Sequence, residues 1–343
     1  MLYGIAAATA ALLLAALFAA LLRVPALRAG IVERRRQRPL PLLGGAAVVV
    51  VTCLVAWAGE WTRVAPLGEG VAQLLVAAAC VAALGLVADV WRLRARVLVA
   101  GTAVAAACVV PYEETGVAAG ILAVLWIVFV SLAFRALDHA DGVAGTVGVL
   151  TAFGAGACAA AEVMDGLAVL LSVLAAALTG FLMHNWPPAR IGLGACGSLF
   201  TGFLLANAAV FTRAGYAIGT SVGVLFPLTA VATADVLLVV LSRRVAGRSL
   251  LRSGPDHLAH RLRRLGLRAP GACVLLGILA FCSVSVGVLV DGGWTGEGAV
   301  LWVGGGVLVV VLGLFRVPAY GPRRRMPPPT SPQVRAQLRV RNG

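Results

Sequence analysis

Apolar residues in this chain come in long, nearly unbroken runs, and each run is closed by a short polar stretch. Runs long enough to cross a hydrocarbon core, about 17–25 residues each, fall near 2–22, 42–59, 70–88, 97–112, 116–134, 143–161, 166–184, 191–211, 214–242, 271–290 and 299–315. They predict an all-α, polytopic membrane protein of about eleven transmembrane helices, since only closed hydrogen-bonded elements survive in lipid. The fourth run is short, and the ninth is long enough that Pro227 should kink or tilt it. The first run has no basic segment before it and no small-residue cleavage site after it, so it reads as an anchor rather than a removable signal. Residues 1–315 form one helical membrane domain with cytoplasmic loops, and the Pro- and Arg-rich tail 316–343 reads as a disordered cytoplasmic segment.

Composition agrees with this pattern. Hydrophobic residues make up 61% of the chain and charged residues 12%, well outside the soluble globular range. The net charge of +14 is carried entirely by arginine. Numbering the loops alternately across the predicted spans puts 26 of the 28 arginines on one side, leaving only Arg63 and Arg213 on the other. That asymmetry places the N-terminus outside and the C-terminus in the cytoplasm. It makes the positive charge a topological signal, so nucleic acid is not the implied partner; anionic headgroups or a phosphorylated substrate come second. The cysteines show no paired spacing, so neither a disulfide framework nor a zinc site is suggested.

Polar chemistry collects on the arginine-rich side. The carboxylates Glu60, Glu69, Glu113, Glu114, Glu162, Asp165, Asp291 and Glu297 fall at outer loop tips, where solvated charge is the expected state. Inside lie Glu33, Asp89, Asp138, Asp141, Asp235 and Asp256, together with all four histidines, His139, His184, His257 and His260. Ionisable groups at a membrane face are costly and tend to mark function. RPLPLLGGAA (38–47) reads as a rigid turn with close backbone approach. GLVADVWRLRAR (85–96) ends a span on Asp89, and RALDHADG (135–142) gathers three polar residues at a span exit. HNWPPARIGLGACGS (184–198) breaks the chain at Pro187 and Pro188, then starts a helix whose N–H groups could face an anion. In GPDHLAHRLRRLG (254–266), His257 and His260 lie one turn apart. Oxygen ligands, imidazoles, arginines and a helix start on one face are what Mg²⁺-assisted chemistry on a diphosphate requires.

Taken in order, RPLPLLGG, LGLVADV, LDHADG, GFLMHNWPPARIGLGACGS and PDHLAHRLRRLG resemble the polyprenyl-phosphate N-acetylhexosamine-1-phosphate transferases. This family includes phospho-MurNAc-pentapeptide translocase and the undecaprenyl-phosphate GlcNAc-1-phosphate transferases. The resemblance covers roughly residues 20–268. It implies a bacterial plasma-membrane enzyme of cell-envelope polysaccharide or peptidoglycan precursor synthesis. With Mg²⁺, such an enzyme moves a sugar phosphate from a UDP-N-acetylhexosamine to polyprenyl phosphate and releases UMP. It also implies that Asp89 and Asp141 hold the metal, with Asp138 a supplementary ligand or base. Asn185, His257, His260 and Arg261 would then bind substrate, and a homodimer stays open.

The chain departs from the family pattern at several positions. Ala88, Ala144 and Ala195 stand where the family carries Asp, while Arg135 and Asp138 stand where it carries Asn. Losing charged ligands and a base should cut the rate by a factor on the order of 10² or more. A catalytically impaired or inactive homologue that binds lipid phosphate or regulates is therefore the alternative. A transporter would need charge at mid-membrane, for which only Asp235 is a hint.

Overall fold

The computed structural model describes residues 2–33, 39–63, 65–91, 93–249, 254–296 and 298–319. The tail beyond residue 319 and Arg34, Arg35, Arg36 and Arg38 of the first basic cluster lie outside them. Helices dominate: α1 (Leu2–Arg28), α2 (Gly44–Trp61), α3 (Glu69–Trp91), α4 (Ala95–Val109), α5 (Tyr112–Thr115), α6 (Val117–Leu137), α7 (Val143–Ala161) and α8 (Asp165–Asn185) come first. Then follow α9 (Gly194–Phe211), α10 (Ile218–Leu228), α11 (Ala230–Val245), α12 (Leu258–Arg264), α13 (Ala269–Asp291) and α14 (Ala299–Phe315). Between α1 and α2, a two-stranded antiparallel ribbon pairs β1 (Val32–Glu33) with β2 (Leu40–Pro41).

Among the described residues, eight helices are long and apolar enough to cross a membrane. The bent pair α10 and α11 makes a ninth if it is counted as one span. Of the predicted spans, 97–112 and 299–315 correspond to helices below that length, Ala95–Val109 and Ala299–Phe315. The run 214–242 is not one kinked helix but two, bent by 82°. Pro227 lies in the last turn of α10, where it removes one helical hydrogen bond, and Thr229 then leaves helical geometry at φ −119°. Large apolar side chains such as Leu13, Leu125, Phe281 and Leu301 face outward. In water that surface would be a liability; in a bilayer it meets lipid.

The fold is organised around α9, in which every residue from Gly194 to Val210 is buried. It packs against α2, α3, α6 and α7. Small residues in its first turns allow close approach. A Cβ on Gly45 of α2 would lie 2.2 Å from the Leu193 carbonyl oxygen and 2.3 Å from the Gly197 nitrogen, so the backbones of α2 and α9 touch. The ribbon adds to this contact: Gly192 N–H donates to the Pro41 carbonyl at 2.7 Å, and Gly44 N–H donates to the Gly192 carbonyl at 3.0 Å. The entry to α2 is thus tied to the entry to α9, as the glycine pair of 38–47 led one to expect.

At the opposite end, outer carboxylates are not all simply solvated, and Glu162 Oε1 accepts the Tyr216 hydroxyl at 2.9 Å. Asp291 forms an almost fully buried ion pair with Arg213 at 3.0 Å. Glu60 accepts the Leu67 N–H at 2.6 Å. A charge buried in this way persists because its partner is buried beside it.

Candidate active site

Four chain segments far apart in sequence meet at one end of the bundle: the exit of α3, the α6–α7 turn, the entry of α9 and the α11–α12 region. Together they line a cavity of about 1300 Å³. Its wall carries Glu33, Asp89, Arg135, Asp138, His139 and Asp141 together with Arg243, His257, His260 and Arg263. Of the residues predicted for the site, Asp89, Asp138, Asp141, His257 and His260 are therefore brought together. Asn185 and Arg261 are not on the wall.

Gly194 explains how the helix start meets the acids. It sits in left-handed backbone at φ +69°, and a Cβ there would fall 2.6 Å from Asp89 Oδ2 and 2.7 Å from the Leu42 carbonyl oxygen. Only glycine permits both the conformation and the approach. The first N–H groups of α9 then point at carboxylates. Gly194 N–H donates to Asp138 Oδ2 at 2.9 Å, Ala195 N–H to Asp89 Oδ1 at 2.9 Å, and Cys196 N–H to Asp89 Oδ2 at 3.0 Å. The helix start does face an anion, as its sequence suggests, but the anion is the protein's own. Negative charge is favourable at this end of the helix dipole. Asp141 is held in the same manner, its Oδ2 accepting Ala189 N–H at 3.1 Å.

Asn185 is a staple. Its Oδ1 accepts Gly142 N–H at 2.9 Å and its Nδ2 donates to the Ile191 carbonyl at 2.7 Å, joining the Asp138–Gly142 turn to the loop before α9. With 4% of its surface exposed, it has no face left for a nucleotide-sugar. Arg261 is likewise committed inward. Its Nη1 donates to the carbonyls of Leu314 (2.7 Å), Phe315 (3.0 Å) and Val317 (2.8 Å), and Nη2 to Ser242 Oγ. It closes the C-terminal end of α14, where carbonyls lack helical partners, so the expected diphosphate clamp is in place a tie between α12 and α14.

His139, His257 and His260 form a compact group with a carboxylate that was not among the expected site residues. Asp235 of α11, fully buried, lies 2.8 Å from His257 Nδ1 and also accepts Leu258 N–H at 2.8 Å. The His139 ring stacks on His257, centroids 3.9 Å apart and planes at 17°, and His260 meets His139 edge-on at 4.9 Å. Burial, with His257 beside it, holds the His139 imidazole well below the usual histidine range. Asp256 binds Arg243 through two hydrogen bonds, at 2.5 and 3.0 Å. The spacing of Asp235 to His257 carries no motif; the signal was a lone Asp inside an apolar run.

Two donor sets bear on a metal. Among the described residues, one group of ligand atoms lies within 4.8 Å of one another: His139, Asp235 and His257. Near-parallel stacked rings direct their in-plane lone pairs side by side, so an ion about 2.1 Å from one nitrogen lies out of plane for the other. The group therefore reads as a hydrogen-bonded Asp–His pair with a stacked imidazole. The carboxylates of Asp89, Asp138 and Asp141 are the hard oxygen donors Mg²⁺ prefers, and a carboxylate offers about four acceptor positions, of which Asp89 gives two to backbone N–H groups. Among the described residues they do not gather into a three-ligand cluster, although Asp89 and Asp138 accept the adjacent N–H groups of Ala195 and Gly194. They do fit an ion that keeps water and completes its shell with substrate phosphate.

The structure defines a helical membrane protein with a cavity of carboxylates, imidazoles and arginines at one end of its bundle. Comparison with known proteins narrows this class. Residues 71–213 match the model of the family described as glycosyl transferase family 4. A Streptomyces coelicolor protein named as a glycosyltransferase is 67% identical over 327 residues, 94% of this chain and 80% of the relative. The decaprenyl-phosphate N-acetylglucosaminephosphotransferase of Mycolicibacterium smegmatis is 31% identical, over 80% of this chain and 79% of its own. A phospho-N-acetylmuramoyl-pentapeptide-transferase from Moorella thermoacetica is 32% identical over 40% of this chain and 42% of the relative. The chain belongs to this family, the polyprenyl-phosphate sugar-1-phosphate transferases.

Proposed function

We propose that the protein transfers a sugar 1-phosphate from a UDP-N-acetylhexosamine to polyprenyl phosphate, at the cytoplasmic face of a bacterial plasma membrane, for cell-envelope precursor synthesis. The supporting observation is that Asp89, Asp138, Asp141, His257 and His260 share one cavity, which Arg135, Arg243 and Arg263 also line. In this reading eleven segments cross the membrane, with α4, α14 and the bent α10–α11 pair among them, the N-terminus outside.

An oxygen of the lipid phosphate attacks the sugar-linked phosphorus. The bond from that phosphorus to the bridging oxygen breaks, and UMP leaves with the electron pair. A phosphate monoester has its second pKa near about 6, so the nucleophile is already an oxyanion at neutral pH and needs no strong base. This lowers the cost of having Ala88, Ala144 and Ala195 where the family pattern has Asp. The remaining task is positioning and charge compensation, which dominate phosphoryl transfer. Mg²⁺, when bound, would be held by Asp89 and Asp141 and would neutralise phosphate charge. Asp138 orients the α9 entry and is available as a supplementary ligand. His257, with Nδ1 fixed by Asp235, and His260 would face the phosphate oxygens. Asn185 and Arg261 serve as positioning residues, holding the loops that carry Asp141 and His257.

The test uses the purified full chain in detergent with polyprenyl phosphate, radiolabelled UDP-GlcNAc and Mg²⁺, following UMP release. Turnover that falls at least a hundredfold in Asp141→Asn is expected. Absence of turnover across several UDP-sugars and divalent metals would overturn the reading and favour a binding or regulatory homologue, which the three alanines and the anchored Asp89 carboxylate also support.

A further inference from the structure

The arginines around the cavity differ in how their donors are used. Arg243 is spent on Asp256, and Arg261 on carbonyls at the end of α14. Arg135, in the last turn of α6, lines the cavity half-buried, with Asp89 and Asp138 as its electrostatic neighbours. Among the described residues no hydrogen bond or contact ion pair takes up its guanidinium. A cation at a helix C-terminus is favourable for the dipole alone, but that requires neither burial nor a place on a cavity wall.

The helix start that would ordinarily receive a phosphate is closed, because Asp89 and Asp138 cover the N–H groups of Gly194, Ala195 and Cys196. A diphosphate entering the cavity must find its donors elsewhere. The sequence has altered the charge of this wall in the matching direction. Neutral Ala195 lies on it where the family pattern has a carboxylate, and cationic Arg135 where that pattern has an amide. Fewer carboxylates hold a divalent ion less well, and a guanidinium supplies fixed positive charge without one. Its planar fork matches two phosphate oxygens, a geometry that lysine cannot reproduce.

We propose that Arg135 is the anion anchor of this cavity, binding the diphosphate directly in a bidentate manner, so that ground-state capture of the ligand does not require a divalent cation. The proposal deepens the transferase reading and rests on its assignment of a diphosphate ligand to the cavity. Mg²⁺ then acts on turnover, whereas binding depends on Arg135.

The experiment is calorimetric titration of the detergent-purified full chain with inorganic pyrophosphate, once with EDTA and once with Mg²⁺. Wild type should bind in EDTA, and Arg135→Gln should weaken that binding about tenfold or more, the scale of losing charged hydrogen bonds. Arg135→Lys, which keeps the charge and the fold but not the fork, should fall in between. Arg263→Gln, an exposed arginine on the same wall, should change little. Binding that appears only with Mg²⁺, an unaltered Arg135→Gln, an Arg135→Lys equal to wild type, or a larger loss in Arg263→Gln would each overturn the proposal. If Arg135→Gln does not fold, the lysine variant decides alone. Pyrophosphate bound in EDTA without any sugar-phosphate turnover would leave this anchor standing while the transferase reading fails; turnover with strictly Mg²⁺-dependent binding would do the reverse.

Discussion

Removing the Asp89 carboxylate separates its structural work from its chemical work. Its two oxygens accept the N–H groups of Ala195 and Cys196 at 2.9 and 3.0 Å, at the start of the helix around which the bundle is packed. Asp89→Ala removes both acceptors and the negative charge. A hydrogen bond to a charged group is worth about 1.5–3 kcal/mol, giving an upper bound of about 6 kcal/mol for two. Asp89 borders a cavity, so water can reach the exposed N–H groups, and N-cap substitutions typically cost about 0.5–2 kcal/mol. The loss expected for alanine is therefore about 2–3 kcal/mol. Asp89→Asn keeps one acceptor oxygen, loses the charge and sets an amide NH₂ against the other N–H, so about 1–2 kcal/mol should go.

At roughly 2 °C per kcal/mol for a chain of this length, the apparent unfolding midpoint should fall by about 4–6 °C in the alanine variant and about half as much in the asparagine variant. Thermal unfolding of the detergent-purified protein, read by intrinsic tryptophan fluorescence without added metal, measures this directly. Sugar-phosphate turnover should be lost in both variants alike, because both lack the negative charge. An alanine variant as stable as wild type would refute the capping role. Equal destabilisation by asparagine and alanine would show that charge, rather than hydrogen bonding, carries the effect.

Other outcomes follow from the same geometry. Gly45→Ala would place a carbon 2.2 Å from the Leu193 carbonyl oxygen and 2.3 Å from the Gly197 nitrogen. With only backbone to yield, it should cost about 1–3 kcal/mol or more and reduce turnover, read by unfolding midpoint and activity together. Asp235→Asn removes the charge that fixes His257 Nδ1 at 2.8 Å; it should weaken pyrophosphate binding several-fold, checked by calorimetry, while Asp235→Glu restores part of it. Ala195→Asp adds a carboxylate to the cavity wall beside Asp89. It should make the unfolding midpoint rise with Mg²⁺ where wild type responds weakly, a tenfold tighter site being worth about 1.4 kcal/mol at saturating ion.

Much of the fold could be read from the chain because lipid imposes a simple rule: an apolar run of sufficient length becomes a helix. The runs at 42–59, 143–161 and 191–211 correspond closely to α2, α7 and α9. The same rule does not give the shape of 214–242, where length and hydropathy are satisfied and the break expected at Pro227 is an 82° bend between two helices. The acids and histidines were recognisable as a group because charge at a membrane face is scarce. What each one does was not recognisable, since that depends on which backbone groups the packing delivers to it. Arg261 illustrates the difference: beside His260 in the sequence it looks like a ligand for phosphate, yet the end of α14, more than fifty residues away, supplies the carbonyls it binds. Asp235 is the converse case, a single acid in an apolar run whose importance appears only when α11 sets it under His257.

The departures from the family pattern and the hydrogen bonds of the site point to one physical account. An N-terminal helix turn attracts anions, and in this chain Asp89 and Asp138 satisfy it from within, which rigidifies the α9 entry and takes it away from any incoming phosphate. Two acids used as caps are less free to serve as metal ligands, and the neutral Ala195 beside them adds no carboxylate to compensate. If the cavity takes a diphosphate as proposed, an isolated cluster of carboxylates would repel it, and positive charge that is always present would be needed. On the proposal made above, Arg135 would provide it from the α6 wall, within the electrostatic reach of the same two acids. The caps, the missing carboxylate and the arginine are thus parts of a single charge balance: changing Arg135 alone should impair anion binding, while Arg135→Asn combined with Ala195→Asp should recover binding only when Mg²⁺ is supplied.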